Sequence, residues 1–481
     1  MAVSRIVTTG GGEPLPSAFV KLDANDAALD ARADVAALRL SALERSAYPA
    51  GVTLGTVAAT FLASTVLAPA SLVSRGLAAF AGIGPDQDGK AATVFLTATR
   101  FLVLGWEATS SGTSCLRATV FDMASNGAPQ SIATLAFQAP ISPMSGGILD
   151  QYYIWGGVRT ADNIARVFYT HKSASNTNVQ ANVTTLTLDT STLALSATVD
   201  VTGVFTPSVL LGTQGAGQLH RRRGYLCGSF GAFIPRSMLA YLNLAAGTGS
   251  VPAGLMIERS AGSSFSILRT LAPNAINGSH SIDRWDSSLF ALLHDGYATG
   301  GATVARLSLV AVDDGTGGEV ASIPLGGGMS GNARLVTLSG SLAVAGYTTG
   351  SQYGTTIVAR AADNSLRRVG MLSTTGGLGL VPTEILPLGP NRFGALVKGS
   401  GWAATLYVYD VNPAAADDAS PFSLVATLPL VLGASIASAA SGDNVTILAV
   451  DVVPGANANR IAIAIRNVTR SVNAVEIFEL T

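Results

Sequence analysis

Two kinds of apolar pattern divide the chain. At its start, Leu22, Asp26, Leu29, Ala33, Ala36, Leu40 and Leu43 are spaced 4, 3, 4, 3, 4 and 3 apart, a heptad seam apolar at six of seven positions. Residues 21–46 contain no Gly or Pro and stop before Tyr48-Pro49-Ala50-Gly51, so the pattern predicts a helix of about six turns there. The polar face carries Asp23, Asp30, Arg32, Asp34, Arg39, Glu44 and Arg45, which suit ion pairs between chains. The seam reads as a coiled coil joining copies of the chain, or as one amphipathic helix lying on its own domain. Small Ala33 and Ala36 permit close approach without choosing between two strands and three.

From about Thr93 onward the period changes to that of strands, punctuated by Gly, Ser, Asn and Asp turns. An apolar run recurs at 100–105, 152–156, 224–228, 288–293, 341–346, 392–397 and 460–465. A partner strand follows each run. Most partners alternate and close on an acid: Asp122, Asp189, Asp313, Asp363, Asp410 and Glu479, with a weaker copy at 241–245. From Phe101 to Ile461 is 360 positions in six steps, a mean of 60. A period of that size with several strands per unit predicts an all-β, seven-bladed β-propeller over 93–481. The continuous run is expected as the inner strand, buried on both faces, and the closing acid as a turn former that binds backbone amides. The last unit is short of strands, so closure is expected to borrow one from the stretch around 63–81.

Ahead of the body, 1–20 reads as a Gly/Pro arm that forms neither helix nor ladder, and 47–92 as a connector. No charge occurs from Ser46 to Ser74. Pro49, Pro69, Gly51, Gly55 and the many threonines there argue against a membrane span, and the first 16 residues lack the apolar run of a signal peptide.

Composition narrows the chemistry. Hydrophobic residues make up 48% and charged residues 12%, which excludes a disordered chain. A net charge of −1 gives nucleic acid no electrostatic hold. Cys115 and Cys227 lack metal-binding spacing, and the chain contains no GxxxxGK[ST], HExxH or GxSxG motif and no sialidase-type Asp box. Asp86 and Asp88 before Gly89 resemble a fragment of a calcium loop but are followed by Lys90 and Thr97 at ligand positions, so a turn is expected. The sequence cluster His280, Asp283, Arg284, Trp285, Asp286, His294 and Asp295 would suit a polar pocket if the fold gathered it. Candidate surface-binding residues are Trp106, Trp155, Trp285 and Trp402, which fall at or just after an apolar run, and the basic run Arg221, Arg222, Arg223. No metal and no cofactor is implied, and no catalytic residue is assigned.

A Gly/Pro arm, a short Ala/Leu heptad seam and a large, low-charge β domain together resemble the layout of bacteriophage tail fibres and other virion appendage proteins. The resemblance covers organisation along the whole chain and rests on no diagnostic motif. It implies a non-enzymatic virion protein, a homotrimer in which 1–16 dock to other tail proteins and 22–43 oligomerise. The β body would then meet a glycan or protein of the host surface. Many such fibres end in β-helices or sandwiches, from which a propeller departs. The alternative is a bacterial propeller, glycan-active or an interaction scaffold.

Overall fold

The computed structural model describes residues 71–80, 91–108, 114–123, 128–141, 152–172, 179–205, 231–234, 237–242, 253–258, 265–271, 281–286, 289–297, 303–313, 316–327, 331–349, 352–374, 382–413, 421–453 and 459–481. The arm, the heptad seam Leu22 to Leu43 and most of the connector lie outside the described residues.

One strand, β1 (Leu72–Ala79), precedes six complete antiparallel sheets. The first holds β2 (Ala92–Phe95), β3 (Arg100–Ala108), β4 (Ser114–Asp122) and β5 (Gln130–Ile141). The second holds β6 (Tyr152–Ala161), β7 (Ile164–Lys172), β8 (Val179–Leu188) and β9 (Leu195–Phe205). In the third are β10 (Gly231–Ile234), β11 (Ser237–Leu242), β12 (Ala253–Glu258) and β13 (Phe265–Leu271). The fourth comprises β14 (Ser281–Arg284), β15 (Leu289–Tyr297), β16 (Thr303–Asp313) and β17 (Thr316–Pro324). The fifth comprises β18 (Gly331–Ser339), β19 (Leu342–Thr349), β20 (Gln352–Arg360) and β21 (Leu366–Thr374). The sixth runs β22 (Glu384–Gly389), β23 (Arg392–Lys398), β24 (Ala403–Val411) and β25 (Phe422–Val431).

The last three strands, β26 (Val445–Val452), β27 (Arg460–Asn467) and β28 (Val472–Leu480), are joined by β1, which pairs antiparallel with β28. A strand from before the first sheet therefore completes the last, Leu72 lying opposite Leu480 and Ala79 opposite Ala474. The pairing spares β28 a free edge.

Each sheet is a simple meander, strand pairing with the next strand in sequence. First strands sit side by side around a circuit: β2 against β6, then β10, β14, β18, β22, β26, and back to β2. Four-stranded antiparallel sheets set around a circuit by their first strands form a β-propeller.

The core lies between sheets. Val94, Leu102, Leu104 and Val120 of the first sheet pack with Val167, Tyr169 and Leu186 of the second. Leu293, Leu307 and Leu309 of the fourth meet Leu335, Ala343 and Tyr347 of the fifth, and Val344 and Ile357 of the fifth meet Ile385 and Phe393 of the sixth. Phe95, Phe101 and Phe121 face Ala462, Val475 and Ile477 of the last sheet. Small residues let the sheets close up: a Cβ on Gly157 would stand 2.8 Å from Val94 Cγ2.

Two kinds of strand assignment from sequence are corrected. The continuous apolar runs at 100–105, 341–346, 392–397 and 460–465, and that at 288–293 from Leu289 on, are the second strands β3, β19, β23, β27 and β15, not the innermost ones. A second strand has a neighbour on each edge and a sheet against each face, so β19 is buried from Leu342 through Thr348. The run at 152–156 does lie in an innermost strand, β6. Tyr241 and Leu242 lie in β11, a second strand rather than a closing third. The run at 224–228 lies outside the described residues.

Candidate functional site: charged groups at the sheet seams

Charged residues are scarce, and the antiparallel register decides where many of them go. A second strand that opens with Arg and a third that closes with an acid place the two opposite each other. Arg100 Nε donates to Asp122 at 2.8 Å, and Arg392 binds Asp410 through Nε at 2.6 Å and Nη2 at 2.9 Å. Arg460 stands opposite Glu479 at 3.8 Å, and Arg75 of β1 reaches the same carboxylate at 2.6 Å. The arginines also reach adjoining sheets: Arg100 Nη1 donates to Asn163 Oδ1 at 3.4 Å, and Arg460 Nη1 to the Ala98 carbonyl at 3.1 Å. The fifth sheet uses the reverse polarity. Arg360, ending β20, pairs with Asp286 of the fourth sheet at 2.6 Å and lies 5.6 Å from the centre of the Trp285 ring.

The remaining closing acids with described side-chain bonds are turn formers. Asp189 Oδ1 accepts from the Ser191 amide at 2.8 Å and hydroxyl at 2.7 Å, and Asp363 does the same for Ser365. Bonds from Ser191 hold the Asp189 carboxyl down at about 2.

Innermost strands face a different demand, because half their amides have no ladder partner on the open edge. Asp283 of β14 accepts from the Thr337 amide of β18 at 2.7 Å, and Asp451 of β26 accepts from the Phe95 amide of β2 at 2.7 Å. Burial pushes the Asp283 carboxyl up to about 6, against the pull of the Thr337 and Arg284 amides. Asp451 is pushed up to about 7 by burial, opposed by the Phe95 and Val452 amides and by Arg159.

A buried pair of opposite charge spans β18 and β22. Arg334, 1% exposed, donates to the carbonyls of Thr383 and Ala333 at 2.8 Å each, beside Glu384. Burial raises the Glu384 carboxyl to about 7 although Arg334 pulls it down. Near the end of the connection from the sixth sheet to the seventh, buried Asp443 accepts from Asn467 Nδ2 at 3.0 Å and Arg470 Nε at 2.9 Å. Those bonds hold its carboxyl down at about 2.

Of the His, Asp and Trp residues seen around 280–295, His280 lies outside the described residues, and Asp283, Asp286 and His294 are taken up separately by the fold. Asp283 serves β18, Asp286 serves Arg360, and His294 is buried within the fourth sheet. His294 Nε2 lies 2.8 Å from Ser308 Oγ, whose own proton goes to Glu319 at 2.7 Å. A serine hydroxyl has one proton, so His294 must donate here. This is the opposite of a nucleophilic serine, which gives its proton to histidine.

Among the candidate binding residues, Trp285 is buried, and its indole N–H donates to the Gly340 carbonyl at 2.8 Å. Trp402 is half-buried in the turn between β23 and β24. Trp106 and Trp155 lie in β3 and β6, and Arg221, Arg222 and Arg223 fall outside the described residues. Sequence reading missed Arg334, Glu384, Asp443 and Asp451. The available signal was a lone charge within an apolar strand, as in Glu384-Ile385-Leu386 and Val450-Asp451-Val452.

Among solved structures, the chain is similar to the periplasmic gluconolactonase PpgL of Pseudomonas aeruginosa, with a TM-score of 0.44 and 13% identity over 76% of this chain and 97% of that one. A protein of unknown function from Dyadobacter fermentans aligns with a TM-score of 0.35 and 9% identity over 86% of this chain and 100% of that one. The WD40 domain of SCAP from fission yeast gives 0.38 and 8% over 84% and 98%. No protein-family profile and no curated protein matches the chain.

Proposed function

We propose that the chain is a non-enzymatic virion appendage protein, in which a seven-bladed β-propeller is tethered through its N-terminal segment and presented to a host surface. The observation that carries this reading is the pairing of β1 with β28. Residues preceding Leu72 do not lead into a free linker. They run into a strand laddered along the last sheet, with Ser71 and Thr481 exchanging backbone bonds at 3.2 and 3.0 Å. A load applied at the N-terminal segment is thereby shared among the ladder bonds of the propeller body, as an attached fibre requires. The non-enzymatic part is supported by the use of the described charges: Arg100, Arg360, Arg392, Asp283 and Asp451 join strands and sheets.

Light scattering on the full chain and on a version lacking residues 1–48 tests the proposal. A trimer that becomes a monomer on truncation is expected. A monomer in both cases would overturn the tethered-fibre reading and favour an interaction scaffold.

A further inference from the structure

The closing strand is held by several polar bonds, and one differs from the rest. Arg75 and Arg460 both turn to Glu479, and Ser71 and Thr481 bond side chain to side chain near the surface. Glu476 of β28, by contrast, is 1% exposed. Its Oε1 accepts from Ser74 Oγ of β1 at 2.8 Å, and its Oε2 from the Gly433 amide at 2.8 Å. Gly433 lies just past β25, so this carboxyl joins the closing strand, the strand it closes on, and the chain arriving from the sixth sheet.

The groups facing Glu476 are Ser74 and Leu77 from β1, Ile463 from β27 and Gly433 from the connection. Among the described residues no ion pair to Glu476 is formed. Both acceptor bonds come from neutral donors, and burial outweighs them, raising the carboxyl above its ordinary range. The protonated form fits the same geometry: Ser74 rotates to accept the acid proton while Gly433 keeps its bond to the carbonyl oxygen. Losing that proton leaves a buried negative charge with no cation beside it. Ser74 is exposed, which opens a path for the proton and for entering water.

We infer that Glu476 is a pH-operated latch on the closing strand: protonated, it holds β1 in place, and ionised, it lets β1 fray from β28. The N-terminal segment is then fixed firmly to the last sheet while Glu476 keeps its proton and less firmly as pH rises through the folded value of that carboxyl.

The test is amide hydrogen-exchange protection, corrected for intrinsic rate, of β1 in the full chain across a pH series from about 4 to about 9, with β6–β9 as internal reference. Protection of β1 is expected to fall tenfold or more relative to the reference in the wild-type chain. It should stay level in Glu476→Gln, whose amide donates to Ser74 and accepts from Gly433 as the protonated acid does. Should Glu476→Gln fail to fold, Ser74→Ala provides the second reading. Losing one donor to the carboxylate should move the loosening to higher pH. A wild-type β1 that falls no further than the reference overturns the latch, as does a Glu476→Gln chain that loosens alongside the wild type. An unmoved midpoint in Ser74→Ala does the same.

Discussion

Individual residues contribute unequally to the seams between sheets. Arg392 and Asp410 form a two-bond pair, yet Asp410 is 42% exposed and water screens the attraction. Leu293 is fully buried where the fourth sheet packs on the fifth. Arg392→Ala is therefore expected to cost less than about 1 kcal/mol, whereas Leu293→Ala should cost about 2–5 kcal/mol. Urea unfolding of the two variants measures the difference, and a costlier arginine would place the stability in ion pairs rather than apolar packing. Gly76 shows a backbone requirement at the same scale. Its φ is +126°, and a Cβ would stand 2.6 Å from Ala128 Cβ, so the bulge in β1 that seats the strand beside the first sheet needs glycine.

Among the elements, β1 has a role out of proportion to its eight residues. It supplies the fourth strand of the last sheet, and removing it would expose the edge of β28. A chain lacking residues 1–70 is expected to unfold at nearly the same temperature as the full chain. One lacking 1–80 should unfold markedly earlier and self-associate through the bared edge. Circular dichroism melting with light scattering distinguishes the two, and equal melting of both truncations would show that closure does not depend on β1. How legible an element was in sequence depended on its surroundings. Second strands such as β19 and β27 were visible as apolar runs because they are enclosed on every side. The first strand β22 mixes buried and half-buried positions, and Glu384, Pro387 and Gly389 interrupt its apolar run.

Across the whole molecule, the buried acids set the response to pH. Asp283 is raised to about 6, and Glu384 and Asp451 to about 7, each chiefly by burial. A carboxyl raised on folding binds its proton more readily in the folded chain than in the unfolded one. Its contribution is complete below the ordinary carboxylate range and is lost as pH rises through the folded value. The lowered acids, Asp189 and Asp443 at about 2, act in the other sense and matter only in stronger acid. The urea midpoint should therefore decline from about pH 5 to about pH 8, and Asp451→Asn should reduce that decline. A midpoint that rises over this interval would show that the three acids are more hydrated than their positions in the fold imply.

Sequence alone determined the all-β class and the recurrence of strand units near a period of 60, whereas Asp122 and Asp410, expected as turn formers, stand opposite Arg100 and Arg392 in the ladder. The class and the recurrence are local features: strand-period apolar runs and the turn residues between them suffice to generate them. Only the tertiary structure decided which strand of each sheet lies innermost, because burial between two sheets looks the same in sequence whichever strand receives it. It also decided that Asp283 and Asp451 serve amides of another sheet, and that Asp283, Asp286 and His294 take separate partners. The closing bond from Ser74 to Glu476 joins residues 402 positions apart, a distance over which no periodic pattern in the chain carries information.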